Sequence, residues 1–242
     1  MLKKTSEFYL LTKIADNLLG ENDLPEYDVP PDTHLHAFKK RYPRLPLVNL
    51  PDRYAPEKVE SLIQARESAR VFGNEPVALA ELSKILASAR VLDVKREPER
   101  RAYPSAGARF PIEVYVAAFN VECVDPGLYH FQSTDFELRS LVERDYSDSK
   151  MKFASNCLEN PALTLILTTV ISRSEVKYHH LAYPASLLEA GHIAQNLIFS
   201  ANELGLGACP VLGQVNDFVA NELDLTSHEL PLYAVAVGRE AK

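Results

Sequence analysis

The pattern of apolar and polar positions changes near residue 56, from an irregular proline-rich segment to regular elements. Apolar residues that recur every three or four positions are typical of helices, and those that alternate or run together are typical of strands. The pattern predicts helices at about 56–67, 78–89 and 186–205, a possible helix near 148–157, and strands at about 112–119, 127–132, 136–142, 161–171, 207–213 and 231–238. Strands that alternate with helices, together with hairpin-like pairs, predict an α+β fold on a mixed sheet.

Two of these elements are especially clear. The run Pro161–Ile171 is almost continuously apolar, which predicts a central strand buried on both faces. The segment Ser186–Gly205 predicts a mostly buried helix, because its apolar residues step by three and four. Ser186 and Glu189 have the spacing of a capping box at its start, and Gly205 is a typical C-terminal cap.

The first 55 residues differ in character. Apolar residues recur at helical spacing between Phe8 and Leu18 and are interrupted by charges, so we predict a short amphipathic helix and not an export signal. Seven of the 16 prolines lie between Glu21 and Pro56. Proline disfavours helix at the preceding residue, so this stretch should be an extended arm that serves as a linker or a dimer strap. The chain therefore divides into a helix and proline-rich arm over 1–55 and a folded domain over 56–242.

The composition excludes several classes of protein. With 46% hydrophobic residues in 242 the chain can bury a substantial core, and a net charge of -7 argues against a general nucleic-acid binder. Three widely spaced cysteines predict neither a disulfide framework nor a zinc site, and the adjacent His179 and His180 should point apart. No stretch reaches the roughly 18 uncharged apolar residues of a membrane span. We expect a cytoplasmic protein without a metal site.

The common dinucleotide, nucleotide, zinc-protease and serine-hydrolase motifs are absent from the sequence. One segment remains: Arg66, Ser68 and Arg70 occupy alternate positions just beyond a predicted helix. Two guanidiniums on one face of an extended segment can fork onto a phosphate. A solvated charged loop is the alternative, and spacing alone favours it.

Six segments, taken in order, resemble the nitroreductase superfamily, whose members bind flavin mononucleotide (FMN) at a dimer interface. Arg66–Phe72 is similar to its R-x-S-x-R-x-F opening, and Arg101–Tyr115, which reads R-A-Y-P-S-A-G-A-R-F-P-I-E-V-Y, is similar to a signature of its SagB-type branch. The other segments are Pro126–Phe131, Leu188–Leu197, Leu204–Ala208 and Val235–Arg239. The resemblance covers about 50–242 and implies a nitroreductase-like α+β fold, in which helices flank a mixed, mostly antiparallel central sheet and FMN lies at a homodimer interface.

The resemblance also implies which residues bind FMN. Arg66, Ser68 and Arg70 would hold the phosphate and ribityl chain, with Arg239 as a further phosphate ligand. The run 206–208 would pass under the flavin ring and point a backbone N–H at N5, the atom that accepts hydride. Asn196, together with His192, would support the cofactor structurally. The full set is Arg66, Ser68, Arg70, Pro104, Ser105, Ala106, Gly107, Asn196, Leu206, Gly207, Ala208 and Arg239.

The small residues Pro104–Gly107, which precede the strand at 112–119, have a physical explanation in this setting. A flavin ring is a flat plate, and small side chains let the backbone approach it closely. In the superfamily this loop comes from the subunit opposite the one that holds the phosphate. The alternative is an ordinary tight turn that leads into the strand.

The resemblance implies that Lys177 and Tyr178 are catalytic. SagB-type enzymes are similar here, with a Lys-Tyr pair taken to serve the oxidation of thiazoline or oxazoline rings in modified peptides. We expect the pair on a loop at the sheet edge, where a lysine of ordinary pKa near 10.4 needs desolvation or a cationic neighbour to act as a base. Arg173 could supply that charge. A solvated lysine beside a packing tyrosine is the alternative.

The chain departs from the branch directly after this pair. The branch often reads G-x-R-G-Y-R there, whereas this chain reads His179-His-Leu-Ala-Tyr-Pro184, so the tyrosine is kept and the arginine is lost. Because that arginine lies near the substrate in the branch, the substrate is the least determined feature.

Together these features favour an FMN-dependent oxidoreductase that acts as a SagB-type dehydrogenase, passing hydride from a C–H bond of a modified peptide or small molecule to N5. One alternative is a general nitroreductase or quinone reductase that uses a nicotinamide donor. Another is a non-catalytic scaffold subunit of a peptide-modifying complex. The sequence leaves open the substrate, the electron acceptor and the contacts of the proline-rich arm.

Overall fold

The computed structural model describes residues 57–214 and 216–241, together with Arg44 and Pro46. The helix and arm predicted over 1–55 lie almost wholly outside the described residues and remain predictions. The described part contains the helices α1 Lys58–Ala65, α2 Leu79–Ala87, α3 Ser172–Tyr178, α4 Ala182–Glu203 and α5 Asn216–Glu222. Its strands are β1 Val91–Asp93, β2 Arg100–Arg101, β3 Ile112–Ala118, β4 Gly127–Gln132, β5 Glu137–Glu143, β6 Leu163–Val170, β7 Gly207–Val211 and β8 Glu229–Gly238.

Six strands form one sheet in the order β5-β4-β3-β6-β8-β7, and β1 pairs with β2 separately. Every strand pairing is antiparallel. Parallel pairing among the described residues is limited to isolated bridges, such as the one between Val71 and Glu159. The predicted mostly antiparallel sheet is therefore confirmed.

Strand β6 is the centre of the sheet, as its apolar sequence predicts. It pairs with β3 on one side and with β8 on the other, and all its residues except Val170 are buried. Consecutive side chains of a strand point to opposite faces, so both faces of the sheet are covered. Each large apolar side chain buried in this way contributes roughly 1.5–3 kcal/mol to folding.

Helix α4 is longer at its start than the sequence pattern predicts. It begins at Ala182, so Ser186 is not the cap, and the Ser186 hydroxyl donates to the carbonyl of Ala182 inside the helix. The capping pattern at Ser186 and Glu189 places the start of the helix too late, because the helix includes Pro184. Proline is tolerated in the first turn, where a backbone N–H has no intrahelical partner. The predicted capping box is therefore wrong, and Glu189 is free for another role.

The possible helix near 148–157 is reduced to a 3₁₀ turn at Lys150–Phe153. The Phe153 ring is buried among three aromatic rings, those of Phe119, Tyr146 and Phe218, with centroids 5.0–6.0 Å away. The buried Phe153 side chain anchors this segment to the core, so the segment needs no continuous row of apolar residues at helical spacing.

Candidate functional site

The segment Arg66–Phe72, here called the arginine segment, lies against the start of β7 and the end of β8. The backbone N–H of Ala69 donates to the carbonyl of Ala208 at 3.2 Å, and Phe72 forms a bridge with Glu240. The N–H of Gly73 donates to the carbonyl of Arg239 at 2.8 Å. The fold thus brings together the three stretches to which the sequence assigns phosphate and N5 contacts.

Gly207 is required by the packing of these stretches. A Cβ atom there would lie 2.6 Å from the Cβ of Ala69 and 2.6 Å from the Cγ of Glu240. Contacts that short do not occur between real side chains, so a larger residue would push the arginine segment away from β7. The glycine allows the close backbone approach that the sequence predicts here.

The guanidiniums of the arginine segment converge on Ser68. Arg66 donates to the Ser68 hydroxyl at 3.2 Å, and Arg70 donates to the Ser68 carbonyl at 3.4 Å. Within the residues that the structure describes, no carboxylate pairs with either guanidinium. Two cations held together without a counter-ion suit a dianionic phosphate, so the residues present fit the group that the sequence predicts.

Cys209 lies beside the same cluster. Burial raises the pKa of the Cys209 thiol, while the charges of Arg70 and Arg66 and a hydrogen bond with Ser68 act in the opposite direction. The charges of Arg66 and Arg70 therefore both act on Cys209 in β7, the edge strand of the sheet.

Arg239 is fixed by a carboxylate that the sequence reading did not single out. One of its terminal nitrogens lies 2.8 Å from each carboxylate oxygen of Glu81. Glu81 also accepts a hydrogen bond from the N–H of Ala78 at the start of α2. Arg239 is thus held near the arginine segment through its backbone, with its charge already paired, and its role as a phosphate ligand remains a prediction.

The second group of predicted residues forms another cluster. Pro104–Gly107, here called the small-residue loop, ends in a 3₁₀ turn in which Gly107 has a φ of 59°. A Cβ on Gly107 would lie 2.6 Å from the Tyr178 hydroxyl and 2.9 Å from the Lys177 ammonium nitrogen. The loop and the predicted catalytic pair are therefore in contact, although they are about 70 residues apart in the sequence.

Lys177 and Tyr178 lie at the end of helix α3, so the predicted loop location of the pair is wrong. The helix starts just after β6, with Ser174 buried, and ends at Tyr178; the next residue, His179, has a φ of 49°. Lys177 is exposed in the single chain, and its ammonium lies 5.5 Å from the centroid of the Tyr178 ring.

Arg173 does not serve as a free cation for Lys177. Its guanidinium contacts the carboxylate of Glu113 at 2.5 Å and the carbonyl of Phe110 at 3.1 Å. Although burial alone would raise the pKa of Glu113, the hydrogen bond with His130 and the charge of Arg173 lower it. Arg173 thus fastens the loop end at Phe110 to β3.

Asn196 holds the other end of the same loop. Its amide donates to the carbonyls of Ala102 at 3.2 Å and Ser88 at 3.5 Å. The neighbouring His192 is exposed on the helix surface in the single chain, and its supporting role remains a prediction. Asn196 belongs with the small-residue loop in the single chain.

The two clusters occupy opposite ends of the sheet. The arginine segment and Gly207 lie beyond the start of β6, where Leu163 pairs with Val237. The small-residue loop precedes β3, and α3 follows β6, so this cluster lies at the other end, where Ile112 pairs with Thr169. The eight residues of β6 separate the ends by about 23 Å at roughly 3.3 Å per residue.

We expect that Gly107→Ala will abolish most activity while it lowers the free energy of unfolding by only about 1–2 kcal/mol. A left-handed φ costs an alanine roughly 1–2 kcal/mol, and the new methyl group displaces the tips of Lys177 and Tyr178. Misplacing catalytic groups by about 1 Å can cost on the order of 100-fold in rate. Activity and thermal unfolding should be measured beside Gly73→Ala, whose added Cβ would have only ordinary contacts at 3.9 Å. Equal activities in the two variants would contradict the assignment.

Neither a metal centre nor a membrane-spanning helix is found in the part of the chain that the structure describes. No group of three potential metal ligands occurs among those residues. No helix among them is long and apolar enough to cross a bilayer. The predicted lack of a metal site remains a prediction, because it concerns the whole chain and most of residues 1–56 lie outside the described part.

Known proteins resemble this chain over most of its length. The model of the nitroreductase family matches residues 63–239. The provisionally named nitroreductase MJ1384 of Methanocaldococcus jannaschii is 30% identical over 76% of this chain and 91% of that protein. The microcin B17-processing protein McbC of Escherichia coli is 27% identical over 52% of this chain and 49% of its own length.

Among solved structures, the E. coli microcin synthetase McbBCD complex with truncated pro-MccB17 bound contains a chain of the same fold. It matches 100% of this chain and 98% of that chain with a TM-score of 0.63, at 20% identity. At that identity the likeness concerns the fold.

Proposed function

The chain belongs to the nitroreductase family, and we propose that it is an FMN-dependent dehydrogenase of the McbC-like branch that oxidises a heterocycle in a modified peptide. Membership of this family indicates that the protein is an oxidoreductase. The cofactor, the substrate and the direction of hydride transfer are our proposal.

The contact of Gly107 with Lys177 and Tyr178 carries this proposal. When bound, FMN would supply a hydride acceptor at N5. Oxidation of a thiazoline or oxazoline also requires the removal of a proton from the neighbouring ring carbon. Lys177 and Tyr178 offer an amine and a hydroxyl beside the loop that the resemblance sets against the flavin, and so they would receive and relay that proton.

The proposed cofactor site is shared by two chains. Arg66, Ser68 and Arg70 would hold the phosphate, while residues 206–208 would lie under the ring. An FMN molecule is shorter than the separation of the two clusters, so the small-residue loop beside its ring would come from a second chain. Exposed apolar side chains near the second cluster support a dimer face there: Val176 is 71% and Leu188 69% exposed.

A mixed dimer tests the shared site. One chain would carry Arg66→Ala and Arg70→Ala, and the other Lys177→Ala. If the site is shared, each mixed dimer has one intact site, and random pairing should restore about a quarter of wild-type activity. If each site lay within one chain, no dimer would regain activity. The mixed dimers should be produced by co-expression, with a different affinity tag on each chain to verify that both chains are present. The two homodimeric variants provide the baseline.

A nicotinamide-dependent reductase is the second candidate, because MJ1384, which is 30% identical over 76% of this chain, has a nitroreductase name. The two functions differ in the electron donor. Anaerobic titration of the flavin-loaded protein with NADH, NADPH and a thiazoline-containing peptide separates them. Bleaching of the flavin absorbance by the peptide but not by nicotinamides supports the dehydrogenase, and fast nicotinamide reduction overturns it. A protein that takes up no flavin would leave only a scaffold role.

A partner complex is also part of the proposal. The structure of like fold is that of a synthetase complex with a truncated precursor peptide bound, and McbC is named as a microcin-processing protein. We propose that this chain likewise works beside the enzymes that form the heterocycles in its peptide.

A further inference from the structure

Glu189 is the one charged side chain fully buried among the residues that the structure describes, at 2% exposure. It lies on α4 and faces the small-residue loop. Its carboxyl lies within hydrogen-bonding reach of the Ser105 hydroxyl and of the backbone N–H of Ile112. One carboxyl oxygen, Oε1, is buried without a hydrogen-bond partner.

Within the described residues, no cation forms an ion pair with Glu189. The ionisable groups that face it are Arg101 and Tyr103 from β2 and the residues after it, and Glu113 lies nearby on β3. The Arg101 guanidinium is already paired with Glu99, donates to the Tyr103 hydroxyl at 2.8 Å and lies 4.4 Å over the Phe110 ring.

The remaining neighbours do not neutralise the carboxylate either. Arg173 on α3 is paired with Glu113, and the Lys177 ammonium lies against Gly107. From β6, the hydroxyl of the uncharged Thr169 donates a hydrogen bond to the Ser186 hydroxyl on α4. A buried carboxylate with a bare oxygen is costly, whereas a neutral carboxylic acid is tolerated.

The loop that Glu189 contacts depends on Ser105. The Ser105 hydroxyl accepts a hydrogen bond from the N–H of Phe110 at 2.9 Å, and its carbonyl accepts one from Ala108 at 3.1 Å. Ser105 therefore closes the turn on which Gly107 is displayed. Movement of Ser105 would move Gly107 relative to Lys177 and Tyr178.

We propose that Glu189 is a positioning residue: in its neutral form it fixes the small-residue loop through Ser105 and Ile112, and thereby sets the distance from Gly107 to Lys177 and Tyr178. The effect on catalysis rests on the proposed function. The effect on the loop does not, because every contact belongs to this chain.

The proposal predicts a pH dependence with a definite sign. Burial raises the pKa of Glu189 to about 7, against the opposing effects of Ser105, Arg101 and the N–H of Ile112. In an open loop the carboxyl would titrate near its ordinary value of about 4.3. The stabilisation of the closed loop by Glu189 is therefore complete below the open-state pKa. It weakens as the pH rises to about 7 and changes no further above pH 7. Between pH 5 and pH 8 opening should become easier by tens of fold.

Hydrogen exchange of the amides of Ala108, Arg109 and Phe110 measures this opening without substrate or flavin. In the wild type, protection corrected for intrinsic exchange should fall by tens of fold between pH 5 and pH 8. In Glu189→Gln, which keeps an acceptor but cannot ionise, it should stay constant. Glu203→Gln changes an exposed carboxylate on the same helix and should behave as the wild type does.

Two further results would decide the question. A carboxylic-acid infrared band that disappears with a midpoint near pH 7 in the wild type and is absent from Glu189→Gln is expected. Protection that changes with pH equally in wild type and Glu189→Gln, or in neither, overturns the proposal. If Glu189→Gln does not fold, Ser105→Ala serves instead: loop protection should be low at both pH values while the infrared band persists.

The catalytic consequence has its own readout. A step near pH 7 in kcat that is present in the wild type and absent from Glu189→Gln would link the loop to turnover. An inactive protein with the expected exchange behaviour would overturn the proposed function and leave the positioning role intact.

Discussion

Lys177→Ala will lower the rate of heterocycle oxidation by about 100- to 10,000-fold and leave flavin occupancy unchanged. General acid–base groups typically contribute that range, and the Lys177 ammonium lies against Gly107, beside the loop assigned to the flavin. Lys177 is on a different element from the arginine segment, so the phosphate contacts are untouched. The test is single-turnover flavin reduction by a thiazoline peptide, with occupancy per chain from absorbance.

Two variants sharpen this experiment. Lys95→Ala removes an exposed lysine outside both clusters and should retain full activity. Tyr178→Phe removes only the hydroxyl that lies near Gly107, so a loss smaller than that of Lys177→Ala would assign the primary proton acceptor to the lysine. Full activity of Lys177→Ala would remove the lysine from the mechanism and favour the reductase.

The hydrophobic pattern was sufficient to predict the six strands of the main sheet, because its signal is local. A strand buried on both faces, such as β6, must be apolar at consecutive positions, and Leu163–Val170 meets that requirement without reference to the rest of the chain. The start of α4 was missed because Pro184 is compatible with both a turn and a first helical turn. Only the preceding residues, which wind from α3 through a 3₁₀ turn into α4, distinguish the two.

The site was predictable only in part, for a related reason. Motif resemblance indicated which segments matter, and the contact between Gly107 and the Lys-Tyr pair agrees with that selection. The carboxylates that set the geometry could not be found in this way. Glu189 had been explained by a local capping pattern, whereas its real partner Ser105 is 84 positions earlier. Pairing at that sequence separation is a property of the tertiary fold.

The double variant Arg66→Ala, Arg70→Ala will weaken FMN binding by about 100- to 10,000-fold. A hydrogen bond to a charged group is worth roughly 1.5–3 kcal/mol, so two lost arginine contacts correspond to about 3–6 kcal/mol. Folding should be little affected, because neither guanidinium has an ion-pair partner within the described residues and Ala69 retains its backbone contact with β7. Fluorescence titration with FMN measures the dissociation constant.

Riboflavin identifies the group that these arginines hold, because it lacks the phosphate and keeps the ring. Wild type and double variant should bind riboflavin with similar, weak affinity, so the difference between them should exist for FMN alone. Replacing both arginines with lysine keeps the charge but not the planar fork, and should restore FMN binding only in part. Arg139→Ala removes an exposed arginine of β5 and should not alter the affinity for FMN or for riboflavin. If the double variant lost riboflavin as strongly as FMN, the arginines would be holding the shape of the site, and the phosphate assignment would fall.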